Sequence, residues 1–286
     1  MNMLRNYAAT CAATLTLLAT LMGAAPARIE IDVPRPGVPI PPSFYGLMTE
    51  EINYSYDGGL YAELIRNRSF QDQPSGLKGR DPKPPSGGVP PHWGVVGSAM
   101  AATNGVDPMN TALPLNLRIT LSGGTGGVAN DGYWGIPVKP STKYTATFYA
   151  RGVDGFAGAI TAAIVTDGDG KPVATAETTA LTGTWKKYSL TLTTSVNVAS
   201  TAEARFVLTA TGVGSIDLSF VSLFPPTYQD APNGLRPDIM KLLAAMRPAF
   251  IRLPGGNYVE GARFADRFAW KNMIGPADQR PGHQGC

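Results

Sequence analysis

Cysteine is nearly absent from this 286-residue chain: Cys11 lies near the start and Cys286 is the last residue. Two such positions exclude an internal disulfide framework and a cysteine-based metal site. Histidine is as scarce, and His92 and His283 supply neither an HExxH helix nor a convincing Ser-His-Asp set. Charge is thin too, at 16% of residues with a formal net charge of +3, too little to argue for a nucleic-acid partner. What fills the chain instead is glycine, 33 residues, and proline, 25. That composition favours many short strands joined by turns over long helices.

The first residues read as an export leader. Arg5 supplies a positive start, Tyr7 to Met22 carries no charge, and Ala25-Pro26-Ala27 fits small-x-small cleavage before Arg28. Residues 1–27 are therefore expected to be removed, leaving a secreted or periplasmic chain with no membrane anchor and Cys286 as its one cysteine. A lone terminal cysteine in such a chain suggests that the sequence stops before its fold does.

From Arg28, RIEIDV alternates as a strand with Ile29, Ile31 and Val33 on one face, and the proline-rich run Pro34–Pro42 follows as an extended connector. Phe44 to Met48 is a short apolar strand that ends on Glu50 and Glu51. After Gly58-Gly59 comes a short helical pattern with Leu60, Leu64 and Ile65 on one face. A buried strand that delivers an acid to a turn before a helix is how α/β barrels present a functional side chain. Residues 73–91 read as a linker or long surface loop. Strand signals then recur at 117–121, 143–151, 159–166, 185–194, 204–211 and 216–220, which predicts an antiparallel sandwich or jelly roll over about 75–225. In 143–151, Tyr144, Ala146, Phe148 and Ala150 share a face. The period changes at Leu235, where Leu235, Ile239, Leu242, Leu243 and Met246 mark one helix face, with Pro237 suited to its first turn and Pro248 ending it. AFIRL at 249–253 reads as a buried strand, followed by the loop PGGNYVEG. The expected domains are thus 28–74, 75–225 and 226–286, with a β-rich module interrupting a βα pattern.

Candidate chemistry is sparse. Glu50 and Glu51 are neighbours, so on a strand they point to opposite faces and at most one lines a site; a solvated strand end explains them as well. Arg252 within an apolar strand needs a partner, usually a carboxylate. With Asn257 it forms either a structural ion pair and a turn residue, or part of a set that grips the hydroxyls of a small polar ligand. Asp167-Gly168-Asp169-Gly170 starts like a calcium loop but has Thr178 where Glu is required, so it reads as a hairpin turn. Gly123–Gly127 reads as another turn. Trp93, Trp134 and Trp185 are core residues or sugar-stacking faces. Asn53-Tyr54-Ser55 and Asn67-Arg68-Ser69 are glycosylation sequons. Nothing implies a metal or cofactor.

FYGLMTEEINYSYDGGLYAELIRNRSF, LRPDIMKLLAAMRPAFIRLPGGNYVEG and FAWKNMIGPADQRPGH resemble the start of the family 51 glycoside hydrolases, the α-L-arabinofuranosidases. The stretch from GGVAN to KYTATFYAR resembles the carbohydrate-binding-type jelly roll inserted in one branch of that family. The resemblance implies the first two strands of a (β/α)8 barrel, interrupted by the inserted module, with RIEIDV contributing to a separate sandwich. It implies that Glu50 hydrogen-bonds arabinose in the −1 subsite, that Arg252 supports the active-site carboxylates, and that Asn257 contacts the sugar. It further implies a retaining hydrolase that releases terminal arabinofuranose from hemicellulose or pectin side chains. Its acid/base and nucleophile glutamates would lie beyond Cys286, so the chain as given is expected to bind without cutting. A non-catalytic sugar-binding protein is the other reading, and an unrelated barrel glycosidase acting on arabinogalactan or xylan a third.

Overall fold

The structure, a computed structural model, describes residues 27–34, 37–72, 88–261, 264 and 267–282. Residues 1–26 of the expected leader, most of the 73–91 linker, His283 and Cys286 lie outside the described residues. Residues up to Phe44 form one unit and those from Tyr45 another.

In the first unit, RIEIDV is not a strand. It is unpaired, with Ile29, Ile31 and Val33 each about four-fifths exposed (86%, 79% and 82%). Alternation gives a segment a face, but a strand forms only when a neighbour takes its backbone groups, and no described residue does so here. The proline-rich run ends in a single 3-10 turn, Pro42–Phe44.

The second unit is mostly sheet. Among the described residues it has nine strands, β1 Leu47–Met48, β2 Trp93–Asn104, β3 Asn116–Asn130, β4 Lys143–Val153, β5 Thr161–Thr166, β6 Pro172–Glu177, β7 Lys186–Thr193, β8 Ala204–Phe224 and β9 Ile251–Arg252, with α-helix α1 Pro237–Ala245 between β8 and β9 and α2 Gly256–Glu260 after β9. Strands β2 to β8 form one antiparallel sheet of order β2-β3-β8-β4-β7, with β5 joining β6 to β8. Alternation is obeyed where it was predicted: Tyr144, Ala146, Phe148 and Ala150 are all at most 1% exposed.

Two predicted breaks are not breaks. Gly123–Gly127 lies within β3, and the two expected strands at 204–211 and 216–220 are a single strand, β8, running through Gly212-Val213-Gly214. The register shifts at Gly97/Ala99 in β2 and at Ser122/Thr125 in β3, level with those glycines. Gly123, Gly124, Gly212 and Gly214 take positive φ values there, and a Cβ at Gly127 would sit 1.9 Å from the Leu208 carbonyl. The glycines therefore crease the sheet rather than end its strands. On one side of the crease the first half of β8 pairs with β5 and the end of β3; on the other its second half pairs with β4 and the start of β3. Apolar side chains from both sides, among them Leu117, Ile119, Phe148, Ile164, Phe206 and Leu218, join one buried core.

The outer face of β3, β8 and β4 carries a buried charge cluster. Asp217 is fully buried and receives Arg118 Nε and Nη2 at 2.8 and 2.9 Å and Arg151 Nη2 at 2.9 Å. Arg151 also meets Asp107, and its guanidinium lies over the Trp185 ring. This satisfies the rule that a buried carboxylate needs partners.

The helix expected after Gly58-Gly59 does not form. Residues 60–70 run without helix along β8: Leu64 N–H donates to Leu223 O at 3.0 Å and Val221 N–H to Arg68 O at 3.0 Å. Glu63 fastens the segment, accepting from the N–H groups of Ile65 and Leu223 at 2.9 Å each and from Arg68 Nη1 at 3.1 Å. Side-chain and backbone pairing to the sheet edge has overridden a weak helical period. The hairpin at Asp167–Gly170 forms as predicted, with Asp169 Oδ1 accepting from Lys171 N–H at 3.1 Å.

Candidate functional site

β1 and β9 pair in parallel, Leu47 with Ile251 and Met48 with Arg252. The ladder continues beyond both: Thr49 N–H donates to Arg252 O at 3.0 Å and Glu51 N–H to Pro254 O at 2.8 Å. Parallel strands deliver their following residues to one end, so Glu50-Glu51 and the Pro254–Asn257 loop emerge together. Two glycines permit the approach. At Gly46 a Cβ would fall 2.3 Å from the Phe250 ring. At Gly255, which holds φ +109°, it would fall 2.7 Å from Glu50 Cγ, so the Glu50 side chain lies directly on the loop that carries Asn257.

Glu50 and Asn257 are both exposed, Asn257 in the first turn of α2. Arg252 differs from expectation. The strand that bears it is short and exposed, and among the described residues Arg252 Nη1 meets Met48 Sδ at 2.9 Å and pairs with no carboxylate. An exposed guanidinium is hydrated, so the argument that demanded an ionic partner does not apply. β9 itself is not buried, with Ile251 48% exposed, and Leu253 just after it is 60% exposed.

Glu51 turns into its own loop. Tyr56 N–H donates to Glu51 Oε2 at 3.0 Å and Tyr56 Oη to Thr49 O at 2.9 Å. Burial, with the nearby Asp57 charge, raises the Glu51 carboxyl to about 7 against the pull of the Tyr56 N–H. The Ser55 hydroxyl donates to Glu50 O, closing the turn. Sequence reasoning gave Glu51 no role, and only the tyrosine-rich run behind it hinted at a partner.

The three tryptophans divide. Trp93 is core, edge-on to Phe70 and donating Nε1–H to Asn67 O at 3.0 Å; Trp185 is half-buried and donates to Asp107 O at 3.2 Å; Trp134 is 65% exposed. Asn67 is buried and donates its Nδ2–H to Pro91 O at 2.9 Å, which closes that sequon to a glycan, whereas Asn53 is exposed. Among the described residues no group of three or more His, Cys, Asp or Glu could hold a metal ion, and no helix is long and apolar enough to cross a membrane.

The sheet and its appended strand pair together define the class. Residues 62–212 match the carbohydrate binding domain family, more than half of the chain, and the chain belongs to that family. Residues 242–286, which include β9 and the loop bearing Asn257, match the α-L-arabinofuranosidase 1 domain. The chain is 34% identical over 85% of its length to a probable α-L-arabinofuranosidase A of Aspergillus flavus. It is 31% identical over 87% of its length to α-L-arabinofuranosidase 1 of Arabidopsis thaliana. It spans 37% and 36% of those two proteins, little more than a third. The structure of an arabinose-bound GH51 α-L-arabinofuranosidase superposes with a TM-score of 0.74 at 34% identity, covering 86% of this chain and 40% of that one. The chain is thus related to the family 51 α-L-arabinofuranosidases.

Proposed function

We propose that this chain is the sugar-holding part of an exported, retaining α-L-arabinofuranosidase. β1 and β9 are the first two strands of its (β/α)8 barrel, and the sheet from Trp93 to Phe224 is a sugar-binding module. Glu50 and Asn257 hold the terminal arabinofuranose of a hemicellulose or pectin side chain, and Arg252 turns from Met48 to support carboxylates when these are present. The observation that supports this reading is the placement of Glu50 on Gly255, two residues before Asn257, at the shared end of two parallel strands. Two carboxyl groups facing each other across a sugar at about 5 Å are needed for retaining hydrolysis. Glu50 lies against Gly255 while Glu51 faces Tyr56, so this pair does not meet that need.

The 286-residue chain is therefore expected to bind arabinose without hydrolysing an aryl arabinofuranoside. Saturation-transfer NMR with free arabinose should show contact that weakens in Glu50→Gln and in Asn257→Ala. Equal signal in both variants would remove the site, and turnover of the aryl substrate would remove the claim of inactivity. A purely sugar-binding role is the second reading, favoured by the same divergence of Glu50 and Glu51.

A further inference from the structure

The arabinose reading leaves the segment beyond α2 without a task. Residues 267–282 carry two short 3-10 turns, Trp270–Met273 and Ala277–Gln279. The near end of the segment is tied to α2: Phe268 N–H donates to Val259 O at 3.0 Å, and the Phe268 and Tyr258 rings meet at 5.4 Å. Tyr258 directly follows Asn257, so this contact braces the turn that carries the Asn257 amide.

The far end is tied to the sheet. The Asp278 carboxylate accepts from the Tyr149 hydroxyl and has Lys187 Nζ 3.8 Å away, and the Asp278 carbonyl accepts from Asn110 Nδ2 at 2.8 Å. These partners stand on β4, on β7 and in the β2–β3 connection, and each is fixed from its own side. Asn110 Oδ1 accepts from the N–H groups of Ala112 and Leu113 at 3.0 and 2.9 Å, and Tyr149 and Lys187 are cross-strand neighbours. Burial, reinforced by the Asp278 carboxylate, raises the Tyr149 phenol to about 12, so it keeps a proton to donate at any physiological pH. The turn that presents Asp278 is closed on itself, with Gln279 N–H donating to Pro276 O at 3.0 Å and Arg280 Nε to Gly275 O at 2.9 Å.

These polar bonds, rather than close packing, hold the seam. A cleft of about 430 Å³, lined in part by Asn110, Tyr149, Asp278 and Gln279, runs along it. An open seam buries little apolar area, whereas a hydrogen bond to a largely buried carboxylate is among the stronger single bonds. The Asp278 side chain is 18% exposed, and control of the seam is concentrated in it. We infer that Asp278 is a positioning residue for the arabinose site: by latching its segment to β4 and β7 it holds Phe268 against α2 and so fixes Asn257 beside Glu50. This rests on the arabinose reading above and gives the sheet a mechanical part in it. Asp278 acts through Phe268 and Tyr258, without touching the sugar.

Hydrogen exchange and arabinose saturation-transfer NMR on the full chain test this together. In Asp278→Ala the amides of Val259 and Phe268, which donate to Gly255 O and Val259 O, should exchange at least about tenfold faster. The arabinose contact should weaken at least about threefold, because less of the protein holds Asn257 in place. The slow amides of Leu208 and Leu218 and the urea midpoint should stay as in the wild type, since the sheet keeps its own ladders. Asp278→Asn, which keeps an acceptor for Tyr149, should restore most of both signals. Tyr149→Phe should reproduce the effect in weaker form, and adding it to Asp278→Ala should change nothing further. Wild-type exchange at Val259 and Phe268 in Asp278→Ala would overturn the latch and leave the arabinose reading standing. Faster exchange there with undiminished arabinose contact would remove the positioning role. No arabinose contact in the wild type would sink that reading and this inference with it.

Discussion

Replacing Glu63 with alanine should be among the most damaging single changes in the chain. The carboxylate is 2% exposed and accepts three hydrogen bonds, from Ile65 N–H, Leu223 N–H and Arg68 Nη1. Although burial works to lower it, the Arg68 guanidinium is held above its ordinary range by the Glu63 carboxylate beside it. Removing one member of a buried pair leaves the other charge uncompensated, at a cost of about 3–5 kcal/mol. Arg68 keeps 25% of its side chain exposed and stacks on the Tyr61 and Phe220 rings, which provides partial relief. The expected loss is therefore at the lower end, about 3 kcal/mol. Glu63→Gln keeps an acceptor for Leu223 N–H and should cost about 1–2 kcal/mol. Urea unfolding followed by tryptophan fluorescence measures both, because Trp93 packs on Phe70 next to this segment. A loss under about 1 kcal/mol for Glu63→Ala, with the denaturant slope unchanged, would refute the view that this pair fastens residues 60–70 to β8.

Glu51→Gln should change the pH dependence of stability. The folded state holds a proton up to about 7 where an unfolded carboxyl releases it near 4.5, so stability is full below that lower value and falls as pH rises to the upper one. With Glu51 only half-buried, a loss of about 1–2 kcal/mol is expected across this window, and the variant should flatten it. Asp217→Ala should cost about 3–5 kcal/mol in urea unfolding by orphaning Arg118 and Arg151, with Arg151→Ala in the same background recovering part of it. Gly255→Ala should weaken arabinose contact in NMR while leaving the urea midpoint of the sheet unchanged, because its methyl would displace Glu50.

The sheet was legible wherever branched and aromatic residues alternated, as in Tyr144–Ala150. Two strands were overlooked for the opposite reason: β2, WGVVGSAMAATN, and β6, PVATAE, are built of small residues whose pattern is too weak to mark a face. Glycine misled in β3 and β8, because the same positive φ that ends a strand also bends one. At the site, the meeting of Glu50 with the loop of Asn257 was readable from strand order. The environments of Arg252 and Glu51 were not, since each is set by the openness of the strand pair and by a turn that folds back on itself. Leu242 and Met246, on the predicted apolar face of α1, stay 69% and 47% exposed. A period announces a face but not what covers it.

The crease sets how this sheet can come apart. β3 and β8 pass through it unbroken, so each half of the sheet borrows its central strands from the other. Opening one half strips the ladder partners from the same two chains that hold the second. Hydrogen exchange of the slowest amides on the two sides, such as Leu208 and Leu218, should then report one common free energy and move together with denaturant. A bent sheet of this kind has two faces to its core and only one way to melt.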